Sequence, residues 1–546
     1  MKGIIGQVNP LLKRTGLALL TLAILQLACY GTPALWGTSL TPTPVLPAAP
    51  PTQDPFLPPP PVTAPTLALT PTITPTPIGS FSASTPTSGP NPFDMTSRAT
   101  NVPSIMYYSK SGDTLEALAR RFGVSVAELN PRGDLAAKGL LEPNTVLFIP
   151  DRLPAAMTPD VEIMPDTEVI YSTTAVGFDI KSYIDEANGF LKGYREYLGS
   201  TGWVYSDEAF RRLSLENSIN PRLLLALLEY ESRWVRGAPV DSLHRDYPMG
   251  YEDYRYKGMF PQMVWAINQL SIGYYGWRAG TVTELSFIDG TRLRLDPRLN
   301  AGTVAIQYLF SKLHSQSQWS QIIDPNSGFP AMYAEMFGDP WARADRVPPI
   351  FGARIPLPTL ELPFDSSVEW SYTGGPHGAW EHDGSLAAID FAPATDHGGC
   401  AITDTWVTAA AAGRVVRSEQ GVVVVDLDSD GFESTGWDLL YLHIAAKDRV
   451  PVDTLLNVND RIGHASCEGG IATGTHLHFA RKYNGEWVAA DGPIPMVLSG
   501  WTVVAGAKPY EGMLVKGDRT IIADPVGQAW SVIFRDFNVS STPVGP

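Results

Sequence analysis

The sequence predicts a multidomain chain: a small α+β module, then an all-α domain, then a mainly antiparallel β domain. Three observations predict it. Residues 105–150 set one compact amphipathic stretch between two short strand-like runs. Residues 179–313 repeat apolar side chains at helical spacing, whereas residues 405–482 carry runs such as "GVVVVDLD" bounded by turn residues. Of the nine histidines, seven lie between His377 and His478, which places the chemistry in the third unit.

Composition narrows the classes. A chain of 546 residues has room for two to four domains. Its net charge of −16, with no Lys/Arg block, excludes nucleic acid as a partner.

Residues 1–28 read as an export signal. Lys2, Lys13 and Arg14 precede an apolar run from Leu17 to Leu25, short for a membrane span. The following "LQLAC" resembles a bacterial lipoprotein signal, which implies cleavage before Cys29, lipidation of its thiol and a membrane anchor facing the wall; an ordinary secretion signal is the alternative. Residues 29–103 are Pro/Thr/Ala-rich, with "TPTP" at 41–44 and 74–77. Such a linker favours extended polyproline II and reaches at most about 200 Å, enough to carry a catalytic head away from a membrane.

Residues 104–152 form the small α+β module. "IMYYSKSGDTLEALARRFGVSVAELN" offers a strand, a turn at Ser111-Gly112-Asp113 and a helix with Leu115, Leu118, Ala119 and Phe122 on one face; "NTVLFIP" is the closing strand. The segment resembles a LysM module, which implies binding to N-acetylglucosamine-containing glycans such as peptidoglycan. The alternative is a degenerate module kept as a spacer.

After a linker at 153–174, residues 175–350 form the helical domain. Helices are expected over 179–198, 206–217 and 220–232, the last apolar nearly all round and therefore central. "INPRLLLALLEYESRW" resembles the catalytic helix of lytic transglycosylases. That resemblance implies a lysozyme-like fold and makes Glu231 the general acid for glycan cleavage, a role that needs an apolar pocket. An ion-pairing Glu231 in an inert domain is the alternative.

Residues 355–505 form the β domain, with 506–546 as a C-terminal extension. The blocks "AAGRVV", "LLYLHIA" and "GTHLHFARK" resemble the M23 zinc peptidases, the lysostaphin and β-lytic group of wall-cutting endopeptidases. Much of that family pairs its first ligands as His-x-x-x-Asp, but Leu386 stands four residues before Asp390. The "GGPHGAW" context matches the β-lytic subgroup and implies His377, thirteen residues before Asp390, as first ligand. His382 is the rival. The resemblance further implies His478 as third zinc ligand, with His443 and His476 flanking the open position. His476 and His478 would share one face of a strand. His397 and His464 have no role.

Cys400 and Cys467 form a candidate disulfide, permitted in an exported protein. It would contribute about 4 kcal/mol by chain entropy. Asp426, Asp428, Asp430 and Gly431 open a calcium-type loop, but position 437 is Trp where such a loop has its bidentate acid; a polar hairpin turn is the alternative.

The expected function is thus a zinc endopeptidase acting on the peptides of peptidoglycan and held to the wall by LysM. A non-catalytic wall-binding scaffold that regulates other hydrolases competes with it, and a bifunctional enzyme would add glycan cleavage through Glu231.

Overall fold

The computed structural model describes residues 103–536, except 137, 200, 367, 381–382 and 395–397. The export signal, the Pro/Thr-rich linker and Cys29 lie outside the described residues, as do His382 and His397.

In the small module, β1 (Ser104–Tyr108) pairs antiparallel with β2 (Val146–Pro150) around α1 (Leu115–Phe122) and α2 (Val126–Leu129). Thr114 caps α1 by accepting the Ala117 amide, Gly123 closes it at φ 68°, and Ser125 with Glu128 forms a capping box on α2. Leu115, Leu118, Phe122, Leu129, Leu147 and Ile149 fill the core. Arg121 is buried on this helix. It pairs with Asp113 at 2.8 Å and donates to the Trp277 carbonyl at 2.7 Å, tying the module to the next region.

The helical region runs through α3 (Ile180–Ala187), hairpin β3–β4 (Arg195–Leu198, Gly202–Tyr205), α4 (Ser206–Asn217), α5 (Pro221–Ser232) and α6 (Ser242–Asp246). It continues with α7 (Met259–Arg278), hairpin β5–β6 (Glu284–Ser286, Arg292–Arg294), α8 (Ala301–Ser311), α9 (Gln316–Ile322), α10 (Phe329–Phe337) and α11 (Pro340–Ala344). Every residue from Leu223 to Leu228 is fully buried, so α5 is central as its all-round apolarity requires.

Two expectations change. The helix expected over 179–198 stops at Ala187, because Asn188 turns left-handed (φ 53°) and Gly189 lies against the Val235 carbonyl, where a Cβ would come within 2.3 Å. The chain then re-enters as β3, so with two hairpins the region is not purely α-helical.

The β region contains β7 (Trp370–His377), β8 (Ala388–Pro393), β9 (Trp406–Thr408), β10 (Gly413–Glu419), β11 (Val422–Asp426), β12 (Trp437–Leu442), β13 (Leu455–Leu456) and β14 (Arg461–His464). It ends with β15 (Leu477–Tyr483), β16 (Glu486–Trp487), β17 (Val497–Leu498), β18 (Trp501–Ala505), β19 (Gly512–Lys516), β20 (Arg519–Ile522) and β21 (Val532–Ile533). The main sheet has the order β13-β10-β11-β12-β15-β8-β7-β21, with β16 beside β15. Val423 and Val425 face one apolar cluster while Val422 and Val424 face another. Burial on both faces explains the unbroken valine run. β18 pairs with β19 across the boundary expected at 505, and β21 adds to the edge of β7, so the C-terminal segment completes this region.

Arg278, at the end of α7, joins all three parts. It donates to the Ser111 carbonyl and pairs with Asp166 and Glu486, each at 2.9 Å. Among the described residues no helix is long and apolar enough to cross a membrane.

Candidate metal centre

Three neighbouring strands build the centre. His478 on β15 sits directly opposite Asp390 on β8, so both side chains leave the same face. β7 lies on the other side of β8, with Gly374 opposite Asp390 and a register shift before His377. The two glycines of "GGPH" are there for room. A Cβ on Gly374 would stand 2.6 Å from Asp390 Oδ2, and one on Gly375 would stand 2.4 Å from the Glu511 carbonyl. The irregular strand then brings the His377 ring over Asp390.

The three ligand atoms form a small triangle: His377 Nε2 to His478 Nδ1 3.0 Å, and each nitrogen to Asp390 Oδ1 3.3 Å. A tetrahedral ion with bonds of about 2.0–2.1 Å would separate its ligand atoms by about 3.3–3.4 Å. The outer nitrogens fix the tautomers. His377 Nδ1 donates to the Gly375 carbonyl (2.8 Å) and His478 Nε2 to the Ala379 carbonyl (2.9 Å). In the neutral rings both inward nitrogens are therefore lone pairs, facing each other and a carboxylate oxygen that is buried without a hydrogen-bond partner. Three converging lone pairs repel unless a cation sits among them. The residues fit a zinc-type ion.

Two more imidazoles use the same device. His443 Nδ1 donates to the Glu468 carbonyl and His476 Nδ1 to the Gly474 carbonyl, both at 2.8 Å. Their rings are 4.4 Å apart, and His476 Nε2 is 3.9 Å from Asp390 Oδ1. His443 follows β12 with a left-handed backbone (φ 66°), rare outside glycine, which aims its ring inward. Burial, then the neighbouring His476 and His478, pushes His443 down to about 3, so it is neutral near pH 7. Burial also lowers His478. Burial works against ionisation of Asp390, yet His377 and His478 hold its carboxyl well below the usual range. Burial likewise opposes charge on His377, but Asp390 outweighs it and raises His377. A proton and a cation thus compete for the same His377 nitrogen.

Two supports come from outside the histidine pattern. Cys400 and Cys467 are disulfide-bonded, which fastens the chain beside Glu468, the residue whose carbonyl orients His443. Tyr510 stacks on His377 with ring centres 4.1 Å apart, and its amide donates to the Pro376 carbonyl. No sequence signal marks Tyr510, which lies in the segment read as an extension.

The other candidates stand apart from this set. Glu231 ends α5, and its Oε1 lies 3.0 Å from His314 Nε2, so it has a polar partner in place of the apolar pocket expected for a glycan-cleaving acid. His464 packs against Trp406 with tilted rings and donates to the Thr405 carbonyl. Asp426 caps its own turn, its oxygens accepting the amides of Asp428, Ser429 and Gly431, as a hairpin turn requires.

Residues 162–349 match the family described as LasA, N-terminal domain, and residues 110–150 match the LysM domain. The chain is 26% identical over 353 residues to protease LasA of Pseudomonas aeruginosa, which spans 62% of this chain and 77% of that protease. It is 24% identical over 153 residues to the beta-lytic metalloendopeptidase of Lysobacter enzymogenes, spanning 28% of this chain and 83% of that enzyme. Among solved structures, the M23 metalloprotease pseudoalterin aligns over 33% of this chain and all of its own length, with 22% identity and a TM-score of 0.27. The sequence relatives support a metallopeptidase that carries a LysM domain, and the family matching the helical region is the LasA N-terminal domain.

Proposed function

We propose that this chain is an exported zinc endopeptidase that hydrolyses cross-bridge or stem peptides of peptidoglycan and is held at the wall by its LysM module. The convergence of three lone pairs from His377, Asp390 and His478 carries the reading. The named relatives, a protease and a metalloendopeptidase, support the reaction class, and the LysM match supports the wall as its place.

Zinc, held by these three residues, would polarise a peptide carbonyl and lower the pKa of water at its open position. The remaining work falls to the chain. In the neutral rings, His443 and His476 present unprotonated Nε2 atoms, because their Nδ1–H groups are engaged by carbonyls. One imidazole accepts the proton of the attacking water; as imidazolium it can donate to the developing oxyanion or the departing amine. The disulfide and the Gly474 and Glu468 carbonyls keep both rings from turning away.

The test pairs metal analysis with mass spectrometry of fragments released from purified peptidoglycan. One zinc per chain and new amino termini within the peptides are expected. Zinc with intact peptides on every wall type would favour a binding scaffold. New glycan ends would point to the helical region.

A further inference from the structure

We infer that the turn between β11 and β12 is a calcium site whose floor is Asp438. The loop follows the spacing of a calcium loop over most of its length. With Asp426 at position one, Asp428 and Asp430 fall at three and five, and Gly431 at six with φ 94°. Ser434 falls at nine. Ligand oxygens of the three aspartates lie within 4.8 Å of one another. The bidentate acid at twelve is absent, since Trp437 holds that place.

An acidic turn alone would carry nothing, and Asp426 is already occupied in capping. The second observation lies beneath it. Asp438 is fully buried, and neither of its carboxylate oxygens has a hydrogen-bond partner; the buried Ser434 Oγ has none either. Asp438 stands directly opposite Asp426 in the antiparallel ladder, so the two side chains leave the same face of the sheet. The nearby cations are spent elsewhere. Glu433 holds both Arg417 and Lys482 at 2.7 Å, and Arg414 turns to Asp453. Burial, only partly offset by Lys482 and reinforced by Glu433, Asp426 and Asp428, raises Asp438 well above the usual carboxylate range.

An unpaired buried carboxylate is costly, and here its cross-strand neighbour is a second one. A divalent cation between the loop and β12 supplies the missing charge. Asp428 and Asp430 are exposed and offer the entry, while the unpartnered Asp438, opposite Asp426 in the ladder, and the unpartnered Ser434 Oγ are the oxygens available in place of the acid missing at position twelve. Hard oxygen donors without a His or Cys select calcium over zinc.

The test uses the full chain, stripped of divalent ions and reloaded with one equivalent of zinc. Terbium is added as a calcium mimic that the adjacent Trp437 can sensitise. Sensitised emission is expected, displaced by calcium at about 0.1–1 mM, the range of extracellular modules, with a rise in Tm. Asp438→Asn should lower calcium affinity at least about tenfold, and its calcium-free Tm should equal or exceed that of the parent, since it removes a buried carboxyl group that has no hydrogen-bond partner. If that variant fails to fold, the exposed pair Asp428→Asn/Asp430→Asn decides, and should abolish the emission. Parent emission and Tm unmoved by about 10 mM calcium, or a folded variant binding as well as the parent, would overturn the site.

Discussion

Asp390 and Glu231 each sit beside histidine, and they differ in what they still need. Asp390 faces His377 Nε2 and His478 Nδ1, both of which have given their N–H groups to backbone carbonyls, so its Oδ1 is left without a donor. Glu231 faces His314 alone, at 3.0 Å, and that contact satisfies it. The first arrangement is complete only with a cation, whereas the second is complete already. A functional centre is thus recognised by polar groups that converge without partners, which the phrase "LLEYES" could not reveal.

The largest expected effect breaks the comparison outright. His478→Ala should lose both zinc and wall hydrolysis, because two ligands hold the ion poorly. Glu231→Gln should leave peptide release unchanged and produce no change in glycan ends. Both are read by metal analysis and by mass spectrometry of digested peptidoglycan; loss of activity in the Glu231 variant with an unchanged melting curve would reverse the assignment.

Next come the flanking imidazoles. His443→Ala and His476→Ala should each retain zinc and lose about 10² to 10⁴-fold in turnover, the usual range of general acid–base and oxyanion contributions. Full cleavage by the double variant would refute their roles even with zinc bound.

A smaller effect sharpens the steric side. Gly374→Ala places a methyl 2.6 Å from Asp390 Oδ2 and must push the carboxylate out of the triangle. Zinc affinity, measured by chelator competition, should fall about 10 to 100-fold, the cost of disturbing a supporting residue. Unaltered affinity would mean that β7 yields instead.

The histidine set was legible because sheets translate sequence simply. Residues two apart share a face, so "HLH" places His476 and His478 together, and "GGPH" carries the room that Asp390 needs. Tyr510 was not legible. It reaches His377 from a segment without periodicity, through a contact that the turn between the paired strands β18 and β19 creates. The helix expected to reach residue 198 failed at Asn188-Gly189, where a close approach to Val235 outweighs continued helical spacing. Nothing in the sequence marks Asp438, since a missing partner cannot be read from a string of letters.

The smallest effect concerns the satisfied carboxylate. In the His314–Glu231 pair, the side chains are 22% and 8% exposed, so solvent screens the contact only in part. His314→Ala should lower unfolding stability by about 0.5–1 kcal/mol, the upper part of the range for exposed pairs, because Glu231 Oε2 already lies beside the exposed Gly250 and can turn toward solvent there. Denaturant melts read the stability, and peptidoglycan digestion should match that of the parent chain. A far larger loss would show that Glu231 is trapped without solvent once its partner is gone. A gain or loss of glycan cleavage would instead show that the pair holds a chemical group in reserve. The equality of the two digests is therefore the finer test of the difference between these two histidine-flanked carboxylates.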